Sequence, residues 1–487
     1  MNTIDMNAIN AEKLKMLHRD DANHSPKSAL EQIKELVDIN SFVEMYAFLC
    51  DENEPAGMTA GYACINQRPV YIFAQDYAVN YAALNVQQAK KICKIISTAL
   101  QTATPVIAIL NSAGVSLNKG MQAMEAYSQI AQALSTLQGI CPSIAIISGE
   151  CYGANAVLSQ LFNITIGIHG QTKLGYFSPQ IYNAQNGTEL TDEELVGTNA
   201  LQKQGAFTLT AQNLQDAFAT CKHLLSLLPD CNTDKAFYQE GSNLNLLLED
   251  SAFQNSNNLI SQLTDTVSAI ELYPAFENSI RTVIARIGGH SVAINIIENF
   301  AVTGNITSKA LEKAAKFVSF ADNFNLPILT LIDSNEFEAL PAHSLMNLIT
   351  AQTKYMYQIN TATVPKICVV LGSAIGQIYA TFASKSYNDV CYCLPHSIFA
   401  PLQPEAAVQI ICQEEIKNST ANIETAKSDI IDNYTKSSAS SIANAKLGLV
   451  DDVIDPKELR KHVISSLEML ETKSVHSFYK KHGNLPL

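Results

Sequence analysis

Two short segments of this sequence carry residue types at a spacing suited to chemistry done by the backbone. They are Gly149-Glu-Cys-Tyr-Gly153-Ala-Asn155 and Gly372-Ser-Ala-Ile-Gly376-Gln-Ile378. Each follows an apolar run, which predicts a strand ending at the first glycine and a helix opening at the second. A helix N-terminus presents unpaired N–H groups at the positive end of its dipole, and glycine lets a reacting carbonyl approach closely. Two such N–H groups can hold the oxyanion of a thioester or a urea-like carbonyl. The alternative is that the glycines only let helix pack on strand, a common use in α/β folds.

Other chemistry is thinly represented. Glu150 lies beside the first glycine turn and could act as acid or base, although a surface or capping carboxylate is the favoured reading. Lys90, Lys91 and Lys94, with Lys313 and Lys316, form two helix faces that could meet phosphates or simply be solvated. His169, His290 and His396 are isolated and read as hydrogen-bonded structural residues. No phosphate-binding G-x-x-x-x-G-K-[ST] loop, G-x-S-x-G elbow or H-E-x-x-H pair occurs. Eleven cysteines include no C-x-x-C, so no zinc ribbon and no bound metal are expected. Their odd number, with no apolar leader in MNTIDMNAINAEKLKMLHRDD, predicts reduced thiols in a cytoplasmic protein.

The elements that must position the glycine turns come in two copies. Pro105-Val-Ile-Ala-Ile-Leu-Asn-Ser112 aligns with Pro327-Ile-Leu-Thr-Leu-Ile-Asp-Ser334 at a shift of 222, and Pro142 to Gly149 aligns with Pro365 to Gly372 at 223. Two homologous domains follow from such a long-period repeat. Each copy reads as helix (Gln87–Gln101; Ser308–Asn323), apolar strand, amphipathic helix (Ala123–Leu137; Leu345–Asn360), apolar strand, glycine turn and apolar helix. Strands apolar throughout and alternating with helices predict an α/β fold with parallel strands covered on both faces. The expected division is a polar lead over 1–30, a first domain over 31–235 and a second over 236–487, with polar Asn232–Thr264 as the joining segment. The uncharged stretch Ile367–Ser384 reads as buried strand, glycine turn and helix rather than a membrane span. With 32 basic and 46 acidic residues the net charge is −14, which disfavours a nucleic-acid binder.

From about Ser41 to Leu470 the chain resembles the biotin-dependent acyl-CoA carboxyltransferases. The first half carries the resemblance in Gly61-Tyr-Ala, Val70-Tyr-Ile-Phe-Ala-Gln-Asp76, Ala89-Lys-Lys-Ile92, Ser112-Ala-Gly114, Gly149-x-x-x-Gly153 and Leu227-Leu-Pro229. The second half carries it in Ala285-Arg-Ile-Gly-Gly289, Lys313-Ala-Ala-Lys-Phe317, Asn325-Leu-Pro-Ile-Leu, Ala362-Thr-Val-Pro-Lys366, Gly376 and Ala445 to Pro456. It is similar to carboxyltransferase subunits of propionyl-CoA carboxylase and of sodium-translocating methylmalonyl-CoA decarboxylase, through to a basic end like Lys480-Lys-His-Gly483.

The resemblance implies two tandem crotonase-like ββα-superhelix domains in a homo-oligomer, a trimer of dimers. It implies carboxyl transfer between a short-chain acyl-CoA on the first domain and carrier-bound biotin on the second. Carried over, the oxyanion donors are Gly153-Ala154 and Gly376-Gln377, with Ala113, Gly114, Gly149, Gly372, Lys91 and Lys94 around the ligands. No Met-Lys-Met biotinylation site and no ATP-binding segment is evident, so a biotin carboxyl carrier protein is an expected partner. A biotin carboxylase, or a membrane decarboxylase subunit that would place the chain at the inner membrane, is the further candidate. The chain departs from the family pattern at Tyr81-Ala-Ala83, Ser116, Glu336, Ala154 and Gln377. The alternative function is therefore a catalytically impaired paralogue with a structural role in such an assembly.

Overall fold

A hairpin opens each sheet, and its turn is clamped by an aspartate. The computed structural model describes residues 27–51, 54–240, 243–298, 305–335, 337–338, 341–413, 423–475 and 484. Most of the polar lead, Glu336 and Lys480 to Gly483 lie outside the described residues. The chain divides into two compact units, Met1–Lys235 and Ala236–Leu487.

In the first unit, α1 (Ala29–Leu36) starts at a capping box between Ser28 and Glu31. Strand β1 (Val43–Glu44) pairs with β2 (Met58–Ile65), which turns into β3 (Arg68–Gln75) through Asn66-Gln67 alone. Both turn residues have positive φ, 50° and 65°, as a two-residue turn between twisted strands requires. The Asp38 carboxylate accepts both of their N–H groups, at 3.0 and 2.8 Å.

The chain then crosses over through α2 (Val86–Thr102), β4 (Val106–Ser112), α3 (Met121–Leu137), β5 (Ser143–Tyr152), the short α4 (Ala154–Ser159), β6 (Ile164–Ile168) and β7 (Lys173–Gly175). Helix α5 (Asp192–Val196), β8 (Leu209–Ala211) and α6 (Leu214–Leu227) complete it. The sheet order is β1-β2-β3-β4-β5-β6-β8, parallel from β3 onward, with β7 beside the far end of β5. Every residue of β4 is buried, because both faces of the sheet are covered. On one face Ile92, Ile95, Ile130 and Leu134 of the helices meet Phe73, Ala108 and Ile147 of the strands.

The second unit repeats this topology: α7 (Ser256–Leu263), β9 (Ile270–Leu272), β10 (Ile280–Ile287), β11 (His290–Glu298), α8 (Ser308–Asn323), β12 (Ile328–Ser334), α9 (Ala342–Thr361), β13 (Lys366–Ile375), β14 (Val390–Cys393), β15 (Ile398–Ala400), β16 (Asp452–Val453) and α10 (Leu459–Met469). Asp265 caps the Gly288-Gly289 turn at 3.1 and 2.8 Å. It also binds the fully buried Arg460 at 2.5 Å, whose other nitrogens donate to the Leu263 and Asn243 carbonyls. The joining segment is not free: Leu248, Ala252, Leu259 and Leu263 sit in the second unit's core. No helix among the described residues is long and apolar enough to cross a membrane.

The strands do not end at Gly149 and Gly372. β5 pairs Leu110 with Ile147 and next Ser112 with Cys151, so Ser148-Gly149-Glu150 bulges opposite Asn111. β13 does the same opposite Asp333, between the pairs Ile332–Val370 and Ser334–Ala374. Asn111 Oδ1 accepts the Glu150 N–H at 3.0 Å and Asp333 Oδ1 accepts the Ser373 N–H at 2.9 Å. A Cβ on Gly149 would stand 2.5 Å from Asn111 Oδ1, and one on Gly372 2.1 Å from Asp333 Oδ1. These glycines make room for the side chain that caps the bulge.

The lysine faces also need correction. Lys91 is 3% exposed; its Nζ donates to the Met58 carbonyl at 2.9 Å and lies 3.8 Å from Glu44. Lys313, its counterpart, donates to the Phe276 and Glu277 carbonyls at 2.6 and 2.8 Å. Lys91 anchors α2 to the start of β2, and Lys313 anchors α8 to the loop between β9 and β10; neither head group points to a phosphate, whereas Lys90 and Lys94 are exposed. Burial lowers both ammonium pKa values, that of Lys313 to about 8.

Two outcomes follow. Gly149→Ala and Asn111→Ala are each expected to cost about 1–3 kcal/mol, the penalty of an uncapped buried N–H. The double variant should cost no more than the worse single, measured by denaturant unfolding. The folded state holds the Lys313 proton less tightly than the unfolded chain does. Its contribution to stability therefore rises with pH from about 8 toward the ordinary 10.5. The unfolding midpoint of wild type relative to Lys313→Met should accordingly increase between pH 7 and pH 10; an unchanged difference would contradict this.

Candidate active site

At the ends of β3 and β4 a buried polar network ties these two strands to the start of α4. Gln75 Oε1 accepts the Asn111 N–H at 3.1 Å. Asn155 Nδ2 donates to Ser112 Oγ at 2.8 Å, and Ser112 Oγ–H donates to the Ala82 carbonyl at 2.7 Å. Ser112 and Cys151 are register partners, so residues 113–115 and 152–154 leave the sheet from adjacent positions.

Gly153 turns the chain from β5 into α4 at φ 58°, ψ −121°, a conformation L side chains avoid. Gly376 does the same at φ 56° before a helix that continues as a π-helical turn, Tyr379–Ala383. Neither glycine N–H is available to a ligand: Gly153 donates to the Gly175 carbonyl at 3.0 Å and Gly376 to the Ala400 carbonyl at 2.8 Å. The donors left at each corner belong to the next residue. Ala154 and Gln377 open their helices, and their N–H groups meet no acceptor among the described residues. Ala154 is absent from the positive-φ positions, so alanine fits there without strain. The Gln377 side chain accepts a hydrogen bond from Gln352 Nε2 at 3.1 Å, which ties it to α9.

The Ser112-Ala-Gly114 segment contributes differently from the expectation. Ala113 N–H donates to the Tyr81 carbonyl at 3.1 Å and Gly114 N–H to Ser112 Oγ at 3.3 Å. The donor that remains is Val115 N–H, which meets no acceptor among the described residues. Val115 escaped the sequence reading because a backbone donor has no residue type; its one signal is that it follows a glycine at φ 126°.

The turn that holds Ala113 is itself strained. Asn80, Tyr81 and Ala82 have φ of 48°, 55° and 48°, where L residues cost about 1–3 kcal/mol each. The left-handed turn thus persists without glycine, fixed by Ser112, Ala113 and the edge-on packing of Tyr77 against Tyr81 (5.5 Å between ring centres).

Glu150 is neither a free surface carboxylate nor a helix cap. Tyr77 O–H donates to its Oε2 at 2.7 Å, and Lys173 Nζ lies 3.9 Å from its Oε1 and 2.6 Å from Asp192 Oδ2. Burial first, then the Glu150 carboxylate, raises the Tyr77 pKa, so its hydroxyl stays a neutral donor. All eleven cysteines are free, and burial pushes Cys151, next to the Gly153 corner, up to about 12, which keeps it a neutral thiol. The four described arginines serve the fold: Arg68 pairs with Asp230, Arg281 with Glu271, Arg460 with Asp265, and Arg286 donates to Gln239.

The chain matches the carboxyl transferase domain family over residues 23–485. It is similar to the methylmalonyl-CoA decarboxylase alpha subunit of Propionigenium modestum, with 30% identity over 94% of this chain and 93% of the relative. It is also similar to the methylmalonyl-CoA carboxyltransferase 12S subunit of Propionibacterium freudenreichii subsp. shermanii, with 30% identity over 94% of this chain and 91% of the relative. Among solved structures it superposes on transcarboxylase 12S, described as a hexamer with methylmalonyl-coenzyme A and methylmalonic acid bound. The TM-score is 0.91, with 28% identity over 99% of this chain and 97% of that one. Its fold is accordingly the crotonase-like fold of two tandem units, and the chain belongs to the carboxyl transferase domain family.

Proposed function

We propose that this protein transfers a carboxyl group between a short-chain acyl-CoA, of the methylmalonyl-CoA and propionyl-CoA class, and biotin on a separate carrier protein. The observation that carries the reading is the pair of uncommitted backbone donors, Val115 and Ala154, on neighbouring segments of a frame fixed by buried side chains. Losing or gaining a carboxyl at the carbon next to a thioester builds negative charge on the thioester oxygen. Two fixed N–H groups lower the energy of that charge, each by about 2.7–4 kcal/mol when measured by removal. No covalent nucleophile is required, in keeping with neutral buried thiols; positioning supplies the rest.

In the second unit Gln377 N–H is the matching donor for the ureido oxygen of biotin. The Gln377 side chain is tied to Gln352, and the N–H itself meets no acceptor among the described residues. Bound biotin would supply the ureido nitrogen that accepts or releases the carboxyl. Partners in this reading are a biotin carrier, a biotin carboxylase or membrane decarboxylase subunit, and further copies of this chain in a hexamer. Binding of the polyanionic CoA falls to exposed lysines such as Lys90 and Lys94, since the described arginines are engaged elsewhere. The unstrained Ala154 favours an active enzyme over an impaired paralogue.

The test is turnover of methylmalonyl-CoA or malonyl-CoA by purified protein with free or carrier-bound biotin. Failure with every short-chain acyl-CoA, together with no CoA binding by calorimetry, would overturn the reading. Gly153→Val should lower turnover roughly 10²- to 10³-fold, the loss expected when an oxyanion donor is displaced, with oligomer size unchanged. Unchanged turnover in that variant would remove Ala154 from the mechanism.

A further inference from the structure

The two units share one backbone frame, yet only the first adds a charged clamp to it. Both units have the capped bulge, the glycine corner at φ 58° or 56°, and a glycine N–H that donates to the neighbouring short strand. In the first unit the bulge places Glu150 opposite Lys173 in register; in the second, Ser373 stands opposite Ile398. The frame therefore folds without the pair. Glu150 meanwhile accepts the Tyr77 hydroxyl at 2.7 Å, and Tyr77 packs edge-on against Tyr81 at the centre of the left-handed turn. The Tyr81 carbonyl holds Ala113 N–H at 3.1 Å, two residues before the free Val115 donor.

We propose that Glu150 is a positioning residue for the acyl-CoA site: through Tyr77 it fixes the Tyr81 turn, and through that turn the Val115 donor. It does not touch the reacting atoms. On its other side the carboxylate faces the Lys173 ammonium at 3.9 Å, which Asp192 holds in place at 2.6 Å. The proposal rests on the carboxyl-transfer reading and goes beyond it, since it assigns the clamp to the acyl-CoA half of the reaction alone.

The test compares Tyr77→Phe, Glu150→Ala, Glu150→Gln and the Tyr77→Phe/Glu150→Ala double variant in the full chain. Each of Tyr77→Phe and Glu150→Ala should lower kcat roughly 10-fold, since small misplacements of catalytic donors are costly. KM for biotin should not change, and the double variant should be no worse than the poorer single. Glu150→Gln retains an oxygen that accepts the Tyr77 hydroxyl and should keep most of the activity. Independent, multiplying losses would overturn the clamp. A Glu150→Gln variant as poor as Glu150→Ala would overturn it in favour of a direct role for the carboxylate. A second readout is independent of turnover: affinity for a CoA analogue whose nitronate mimics the enolate oxyanion should fall in Glu150→Ala. If the wild type shows no turnover at all, the transfer reading fails. Equal analogue affinity in wild type and Glu150→Ala would then, separately, overturn the clamp.

Discussion

A single side chain capping a bulge in a central parallel strand is the constraint on which each unit depends. A bulge leaves half-buried backbone N–H groups without ladder partners, and an unpaired donor shielded from water is costly. Asn111 in one unit and Asp333 in the other supply the missing acceptor. The cap fits only because Gly149 and Gly372 have no Cβ to collide with it. With the bulge secured, each strand carries on to a second glycine, which turns it into a helix whose first N–H is left uncommitted. The proposed chemistry is a consequence of that geometry rather than of any reactive side chain.

The duplicated frame has diverged mainly in what surrounds it. In the first unit Asn155 and Ser112 join strand to helix by hydrogen bonds, and Glu150 is held by Tyr77 and Lys173. In the second, Ser334, the counterpart of Ser112, is buried and its hydroxyl meets no partner among the described residues. The sheet core differs as well. The row Ala60–Phe73–Ala108 of the first unit corresponds to Thr282–Asn295–Thr330 of the second, where the buried Asn295 amide meets no partner among the described residues. Buried polar groups of this kind ordinarily find a partner or a water.

Much of this was legible in the sequence. The repeat at 222–223 residues, the strands apolar throughout and the paired glycines lead to two parallel α/β units and to the corners at Gly153 and Gly376. Periodicity could not reveal the bulge, because Ser148-Gly-Glu150 reads as the end of an apolar strand rather than its continuation. Lys91 and Lys313 misled for a physical reason. A long aliphatic stem satisfies an amphipathic pattern whether its head group reaches water or a buried carbonyl. The apolar residues within polar Asn232–Thr264, Leu246 to Leu248 among them, already argued against a free linker, and Leu248, Leu259 and Leu263 do sit in the second core. Asn80–Ala82 contains no glycine to announce positive φ; its conformation comes from tertiary contacts to Ser112 and Ala113.

The central claim is that charge developing on the acyl-CoA thioester is received by two backbone donors, Val115 and Ala154. The most direct measurement is an experimental structure of the protein with a non-reactive acyl-CoA analogue bound. The account predicts the thioester oxygen, or its mimic, within about 3.2 Å of both nitrogens, the ordinary reach of an N–H···O bond. A thioester oxygen held instead by a side chain, or by backbone remote from the Gly153 corner, would contradict it.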